Sequence, residues 1–346
     1  ILNVVSYLAI ILLVTWEQNY LLALGIGTVT EVVLNIWISW YVEQKYPFLR
    51  QRRKEKSTSS LTKRIVRDLK SLFISRISEK MLYCTDNLII SGFIGVGTVG
   101  RYANYCMITQ AISNILTILA NTIQPTVGDY FTEKNRQRNY EILRQLTFGF
   151  FCIASVVSVG LFSLITPFVR DIWLGPSYEL GWGITVFCIV VLLVRIMGLP
   201  LSLVMGVTGL FEKEKNVGAS SALLNLIVSL ALVKPYGMAG VLLGTLLSYL
   251  LQILYRYIIY FRDFLEMPGE ALRYAQDIGE YLAVIAGEVL LMQKIVPLIY
   301  GAGGMLLFCV CFLLCIAIPL LLDLVIFGRG WRLQSIVTMV KGMRKA

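Results

Sequence analysis

Ten apolar stretches divide this chain, and the positive charge between them falls almost entirely in every second gap. The stretches cover 1–14, 20–42, 72–94, 102–127, 143–168, 182–211, 217–233, 239–260, 280–300 and 304–327. Alternate gaps are 43–71, 128–142, 212–216, 261–279 and 328–346. With slight fraying of the segment ends, these gaps hold 24 of the 31 Lys and Arg residues. The intervening gaps hold only Arg101, Arg170 and Lys234. A helix crossing a bilayer needs roughly 20 mainly apolar residues, and basic loops stay on the cytoplasmic side. The pattern predicts an all-α polytopic protein of the inner-membrane type, with about ten transmembrane helices and both termini cytoplasmic.

Composition excludes several other classes. Hydrophobic residues make up 57% of the chain and charged ones 15%, against roughly 25% charged in an average soluble domain. The net charge of +10 sits in short loops beside membrane ends. It therefore sets topology and meets anionic headgroups of membrane lipids; no nucleic acid is expected as a partner. Trp16, Trp173 and Trp182 fall near one interface and Trp37, Trp40 and Trp331 near the other, as an aromatic belt requires. All seven cysteines lie in apolar segments and do not read as a disulfide framework. The chain has no His, so it offers no Ser-His or Cys-His pair and no imidazole base. It also lacks a P-loop. The chain reads as a non-enzyme without a cofactor.

Two connectors organise the rest. Residues 43–71 carry Gln51-Arg52-Arg53-Lys54-Glu55-Lys56 and then Ser57-Thr58-Ser59-Ser60, a polar cytoplasmic linker before a basic stretch from Lys63 to Lys70. The linker separates 1–42 from a six-helix block, 72–260. A second connector, 261–279, contains Pro268-Gly269 and precedes a terminal hairpin and basic tail within 261–346. The first apolar run, only 14 residues long, spans about 21 Å against a hydrocarbon core of about 30 Å. Because Ile1 is not Met, further helices are expected upstream. Gly95-Val96-Gly97-Thr98-Val99-Gly100 matches a dinucleotide fingerprint by letter, but it lies between membrane segments and not in a βαβ unit. Its glycines are expected to make a tight turn. Gly240 and Gly244 are spaced for close helix packing.

Polar residues inside the apolar segments are the candidate site. Arg76, Glu79, Lys80, Asp86 and Asn87 interrupt 72–94. Arg76 and Lys80 either snorkel to the interface or face a cavity. Asp86 needs a cation, a proton or water. Gln110, Asn114, Thr117, Asn121 and Gln124 recur at spacings of four and three, and so form one stripe on a helix. That stripe is either interhelical glue or the lining of an aqueous cavity whose amides can bond sugar hydroxyls. Arg195 lies just before Gly198-Leu199-Pro200, where a kink is expected. It either pairs with Asp86 or presents a guanidinium to a phosphate or diphosphate. Lys294 can snorkel outward, and Glu288 has no evident role.

Several motifs resemble a family when taken in order. They are Lys45-Tyr46-Pro47, Asp86-Asn87-Leu88-Ile89-Ile90-Ser91-Gly92-Phe93-Ile94-Gly95, Val99-Gly100-Arg101-Tyr102-Ala103-Asn104-Tyr105, Pro125 closing its helix, Leu224-Asn225, and the run from Gly237 to Thr245. Together they are similar to polysaccharide-biosynthesis flippases of the multidrug/oligosaccharidyl-lipid/polysaccharide exporter superfamily. The resemblance implies a fourteen-helix, two-lobe transporter of which this chain holds the last ten helices. On that template 1–42 ends the first lobe, 72–260 is the second and 261–346 holds the terminal pair. It further implies a bacterial cytoplasmic membrane protein that moves undecaprenyl-diphosphate-linked oligosaccharides outward by alternating access, alongside polysaccharide polymerase and glycosyltransferases. Arg76, Lys80 and Arg195 would meet the diphosphate, and the 110–124 stripe and Asp86 would complete the substrate-binding set. A cation-coupled multidrug exporter of the same superfamily is the alternative. A membrane glycan polymerase or transferase is disfavoured, because the longest non-cytoplasmic loop is only 169–181.

The charge asymmetry makes a direct prediction. Single cysteines replacing Lys54 and Lys134 should be shielded from an impermeant thiol reagent added to intact cells. Cysteines replacing Gly97 and Ser177 should react. Labelling at position 54 from outside would overturn the topology.

Overall fold

The computed structural model describes residues 10, 11, 15, 20–46, 66, 73, 84–131, 135–301 and 303–328, with backbone alone at 20, 21, 23, 24 and 211–216. Arg76, Lys80, Trp16, Trp331 and most of the 43–71 connector lie outside the described residues. The chain divides into two compact units, 1–64 and 65–346. In the first, helix α1 spans Tyr20–Lys45. Its interior polar groups turn back on the helix: Thr30 Oγ1 donates to the Ile26 carbonyl at 2.7 Å and Asn35 Nδ2 to the Glu31 carbonyl at 2.9 Å.

All regular structure described in the second unit is helical. Helix α2 covers 84–93. It is followed by α3 (Val96–Tyr130), α4 (Arg136–Pro167), α5 (Trp182–Val207), α6 (Phe211–Tyr236), α7 (Met238–Ile259), α8 (Pro268–Tyr300) and α9 (Met305–Phe327). Helices α4 and α7 each run on into a wider π turn, Phe168–Trp173 and Tyr260–Leu265. Among the described residues, seven helices, α3 to α9, are long and apolar enough to cross a membrane. A helix closes its own backbone hydrogen bonds, which hydrocarbon cannot do for it. The two tightest connections turn on glycine. Gly95, with φ 127°, separates α2 from α3, and Gly237, with φ 57°, separates α6 from α7. Both conformations exclude a Cβ at little cost only in glycine. Of the dinucleotide-like glycines, Gly95 makes the turn, whereas Gly97 and Gly100 lie within α3.

Three expected boundaries move. Helix α8 begins at Pro268, so most of the 261–279 connector is helical. Proline presets φ for a first helical turn and lacks an N–H that would go unused there. The added turns are held by buried Tyr274 and Asp277. Pro125 does not close its helix, because α3 continues to Tyr130. The hydrogen bond that proline removes is a local loss, and buried Val127 anchors the final turn. Helix α5 likewise runs unbroken through Pro200 and ends at Val207, before Gly209 with φ 71°.

Helix α4 is the central element of the second unit, packing on α5, α8 and α9, while α5 also packs on α3 and α7. Phe148 and Phe151 of α4, Tyr281 of α8 and Phe327 of α9 form an aromatic nucleus with ring centroids 4.4–5.9 Å apart. Edge contacts within it suit the ring quadrupoles. Further along the same seam, Arg144 grips Asp277 with two hydrogen bonds, at 2.6 and 2.9 Å. Thr147 and Tyr274 meet hydroxyl to hydroxyl at 3.1 Å. Charge-assisted, two-pronged pairing of this kind fixes orientation as well as adding energy. Tyr105 ties α3 to the loop before α5 by accepting from the Leu180 N–H at 3.2 Å.

Helices α6 and α7 pack closely. A Cβ on Gly240 would collide with the Leu232 carbonyl, and one on Gly244 with the Ser229 hydroxyl. Small residues let the backbones approach, as the sequence spacing implied. Gly240→Leu should therefore lower the unfolding midpoint or abolish folding, with a cost of at least ~1–3 kcal/mol from overpacking. Gly149→Ala, where a Cβ meets nothing within 4 Å, should leave stability unchanged or raise it slightly. Thermal unfolding of the purified variants decides between these outcomes.

Candidate functional site

Asp86 sits on α2 and turns inward, 5% exposed. Its Oδ2 accepts from Thr245 Oγ1 at 2.7 Å, and its Oδ1 from Asn225 Nδ2 at 3.4 Å. Asn225 Nδ2 also donates to Thr245 Oγ1 at 2.9 Å. The cluster thus joins α2, α6 and α7 through one carboxylate, one hydroxyl and one amide. Asn225 is fully buried and its Oδ1 has no hydrogen-bond partner. No cationic side chain faces Asp86 among the described residues. The ion pair with Arg195 entertained from sequence is absent: Thr245 and Asn225 meet the carboxylate, and the Arg195 guanidinium lies over the Tyr249 ring. Asp86 was also expected to contact substrate. Its burial means that such contact requires the α2–α6–α7 seam to open.

The seam continues in both directions. Ser221, Asn225 and Ser229 recur every fourth residue and share one face of α6. Gln252 Nε2 donates to Ser221 Oγ at 2.9 Å, and Ser229 Oγ donates to the Val241 carbonyl at 3.2 Å. Apart from Asn225 Oδ1, these polar groups find a donor or acceptor across the interface or in their own helix, as a dry interior demands. This spacing of four marks the polar face of α6 in the sequence, but not the helix that meets it.

Gln110, Asn114, Thr117, Asn121 and Gln124 do form one stripe on α3. Asn114, Thr117 and Asn121 are exposed and Gln110 and Gln124 half-buried. The packed face of α3 is a different one, carrying Tyr102, Tyr105, Ser113, Leu116, Ala120 and Val127. A third face presents Met107, Ile115 and Ile118 outward. The stripe lies between the packed face and this apolar one. Thr117 Oγ1 bonds only the Ser113 carbonyl of its own helix, at 2.8 Å. Asn114, Thr117 and Asn121 make no hydrogen bond to another helix among the described residues. Gln124 lies over Gly206 of α5, where a Cβ would strike its amide.

Arg195, on α5, places its guanidinium 5.3 Å from the centre of the Tyr249 ring of α7, a cation–π contact. It is thus held on the α5–α7 seam and not at Asp86. Arg76 and Lys80 lie outside the described residues. Among those described, no cluster of three His, Cys, Asp or Glu side chains is placed to hold a metal ion.

The Asp86 cluster predicts a stability hierarchy. Thr245→Val removes the shorter hydrogen bond and leaves the carboxylate buried with a weaker donor, a cost of ~1–3 kcal/mol. In an Asp86→Asn background the same change should cost less, since no charge remains to be met. A double-mutant cycle on unfolding free energy measures the coupling; additivity within error would show that the two side chains act independently.

No curated protein matches this chain. Residues 1–131 match the family model described as polysaccharide biosynthesis protein. That stretch holds the Lys45-Tyr46-Pro47, Asp86–Gly95 and Val99–Tyr105 motifs and Pro125. The resemblance carried by those motifs is borne out: over residues 1–131 the chain matches polysaccharide biosynthesis proteins, consistent with a flippase family of that pathway.

Proposed function

We propose that this protein translocates lipid-linked oligosaccharide repeat units, carried on undecaprenyl diphosphate, across the bacterial cytoplasmic membrane for surface polysaccharide biosynthesis. The observation that carries the reading is the unpacked stripe on α3. Three of its polar side chains are exposed and bond no other described helix. Amide and hydroxyl groups at membrane depth are costly unless hydrogen-bonded or wet. A water-filled path supplies that partner, and the same groups can exchange water for sugar hydroxyls as a glycan passes. The apolar face beside the stripe suits lipid, so a substrate with a polar head and a prenyl tail fits the boundary between the two.

The proposed mechanism moves no covalent bond. The stripe holds the glycan, and the diphosphate is met by Arg195, Arg76 and Lys80. Alternation of the path between the two sides carries the head across. The protein then acts after the glycosyltransferases that build the repeat unit and before the polymerase that joins repeats. Its basic loops and C-terminus lie in the cytoplasm.

The test uses cysteines at 114, 117 and 121, with Leu116 and Ile118 replaced as controls. A small hydrophilic thiol reagent should modify the first three and block export of the repeat unit, while positions 116 and 118 stay unreactive. Arg195→Gln should lower export with the protein still inserted, and Arg195→Lys should restore part of it, as a point charge without the planar fork. An unreactive profile across 114, 117 and 121 would overturn the aqueous path.

A further inference from the structure

Ionisable side chains are rare inside membrane helices because an unpaired charge there is costly. Two nevertheless meet where α4, α8 and α9 pack. Glu288 of α8 and Asp323 of α9 are each 3% exposed. Glu288 meets Ser155 of α4, and Asp323 lies one turn from Phe327, which packs on Phe151, itself one turn from Ser155. The hydroxyl donates to Glu288 Oε2 at 2.6 Å. A serine has one proton to give, and Asp323 is left with no hydrogen bond at either oxygen; Glu288 Oε1 has none either. Three carboxyl oxygens are thus buried without a donor, in a chain that otherwise satisfies most of its buried polar atoms.

Ser155 and Cys152 of α4 lie near the pair, and each carboxyl lies near the other. Among the described residues no cationic side chain is recorded beside the pair. Arg144, three turns earlier on the same face of α4, is already gripped by Asp277. Asp323 is also the one ionisable residue in α9 apart from its cysteines. Two carboxylates in one dry site repel, and neither can be fully ionised without a compensating charge. A proton removes the repulsion and supplies the O–H donor that the orphaned oxygens lack.

We propose that Glu288 and Asp323 form a proton-binding site that fastens the terminal helices α8 and α9 to α4. The site takes a proton as its ligand, held by the pair with Ser155 orienting Glu288. Loss of that proton places like charges in the seam beside the Phe148–Phe151–Tyr281–Phe327 nucleus and loosens the docking of α9. None of this depends on what the protein transports.

In the unfolded chain both carboxyls meet water and ionise above about pH 4. The folded state then binds more protons than the unfolded one, so stability falls as pH rises. One such proton changes the folded-to-unfolded ratio by about tenfold per pH unit. The purified protein in nanodiscs should therefore show an unfolding midpoint that drops from pH 5 to pH 9. Glu288→Gln with Asp323→Asn, which imitate the protonated acids, should flatten that slope, and Cys152→Ala should retain it. Infrared spectroscopy of the wild-type protein gives a readout that needs no variant, and a folded double variant serves as a control. The wild-type protein should show the carbonyl stretch of a protonated carboxylic acid at neutral pH, and the folded double variant should lack it. Absence of that band in the wild type overturns the proposal. So does an equal pH slope in wild type and double variant, or sodium or potassium restoring stability at high pH in wild type alone, which would make the ligand a metal cation. Export is not measured, so this outcome is separate from that of the flippase reading.

Discussion

Hydrocarbon offers no hydrogen bonds, and every polar atom placed in this molecule's interior has to be matched by another atom of the chain, by water or by a proton. Continuous helices meet that demand for the backbone. The side chains meet it in seams, each built where two or three helices must be held in register. Thr245 and Asn225 meet Asp86 at the α2–α6–α7 junction. Arg144 meets Asp277 between α4 and α8. Where lipid tails are as apolar as leucine, apolar contact alone gives little preference for one helix arrangement over another. These polar seams supply the direction that greasy packing lacks.

The two ends of the second unit use different devices to pack closely. At α6–α7 the backbones approach over Gly240 and Gly244, and short hydroxyls fill the remaining space. Around α4 the contacts are large rings, Phe148, Phe151, Tyr281 and Phe327. Small-residue seams are close and narrow, whereas ring clusters bury much area but leave gaps at their margins. The unmatched oxygens of Glu288 and Asp323 belong to the helices that carry these rings. The α3 stripe belongs to neither kind of seam. Its amides are not consumed by packing, and that leaves them available to a ligand.

Much of the fold was legible because hydropathy and helix length are tied by the thickness of the bilayer. The segments 102–127, 143–168, 239–260 and 304–327 each fall within or close to a helix of the structure. Boundaries set by proline were read less well. A proline in water marks an ending, but at Pro125 the helix continues, because buried Val127 anchors the turn beyond it and one lost hydrogen bond does not outweigh that packing. At Pro268 the polar sequence suggested a loop, whereas a distant partner, Arg144, holds Asp277 in helix.

The sequence by itself determined the helical class, the segments long and apolar enough to cross a membrane, the glycine turn at Gly95, the tight α6–α7 spacing and the stripe on α3. All of these follow from local period and composition. Partner choice was decided only by tertiary structure. Asp86 could have met Arg195, and meets Thr245 and Asn225, which lie 159 and 139 residues further along the chain. Glu288 had no visible role until Asp323 and Ser155 were brought beside it. A hydrophobic period states which face of a helix is buried, but not which helix buries it. Charge pairing acts across space, so its outcome waits on the packing that brings two faces together.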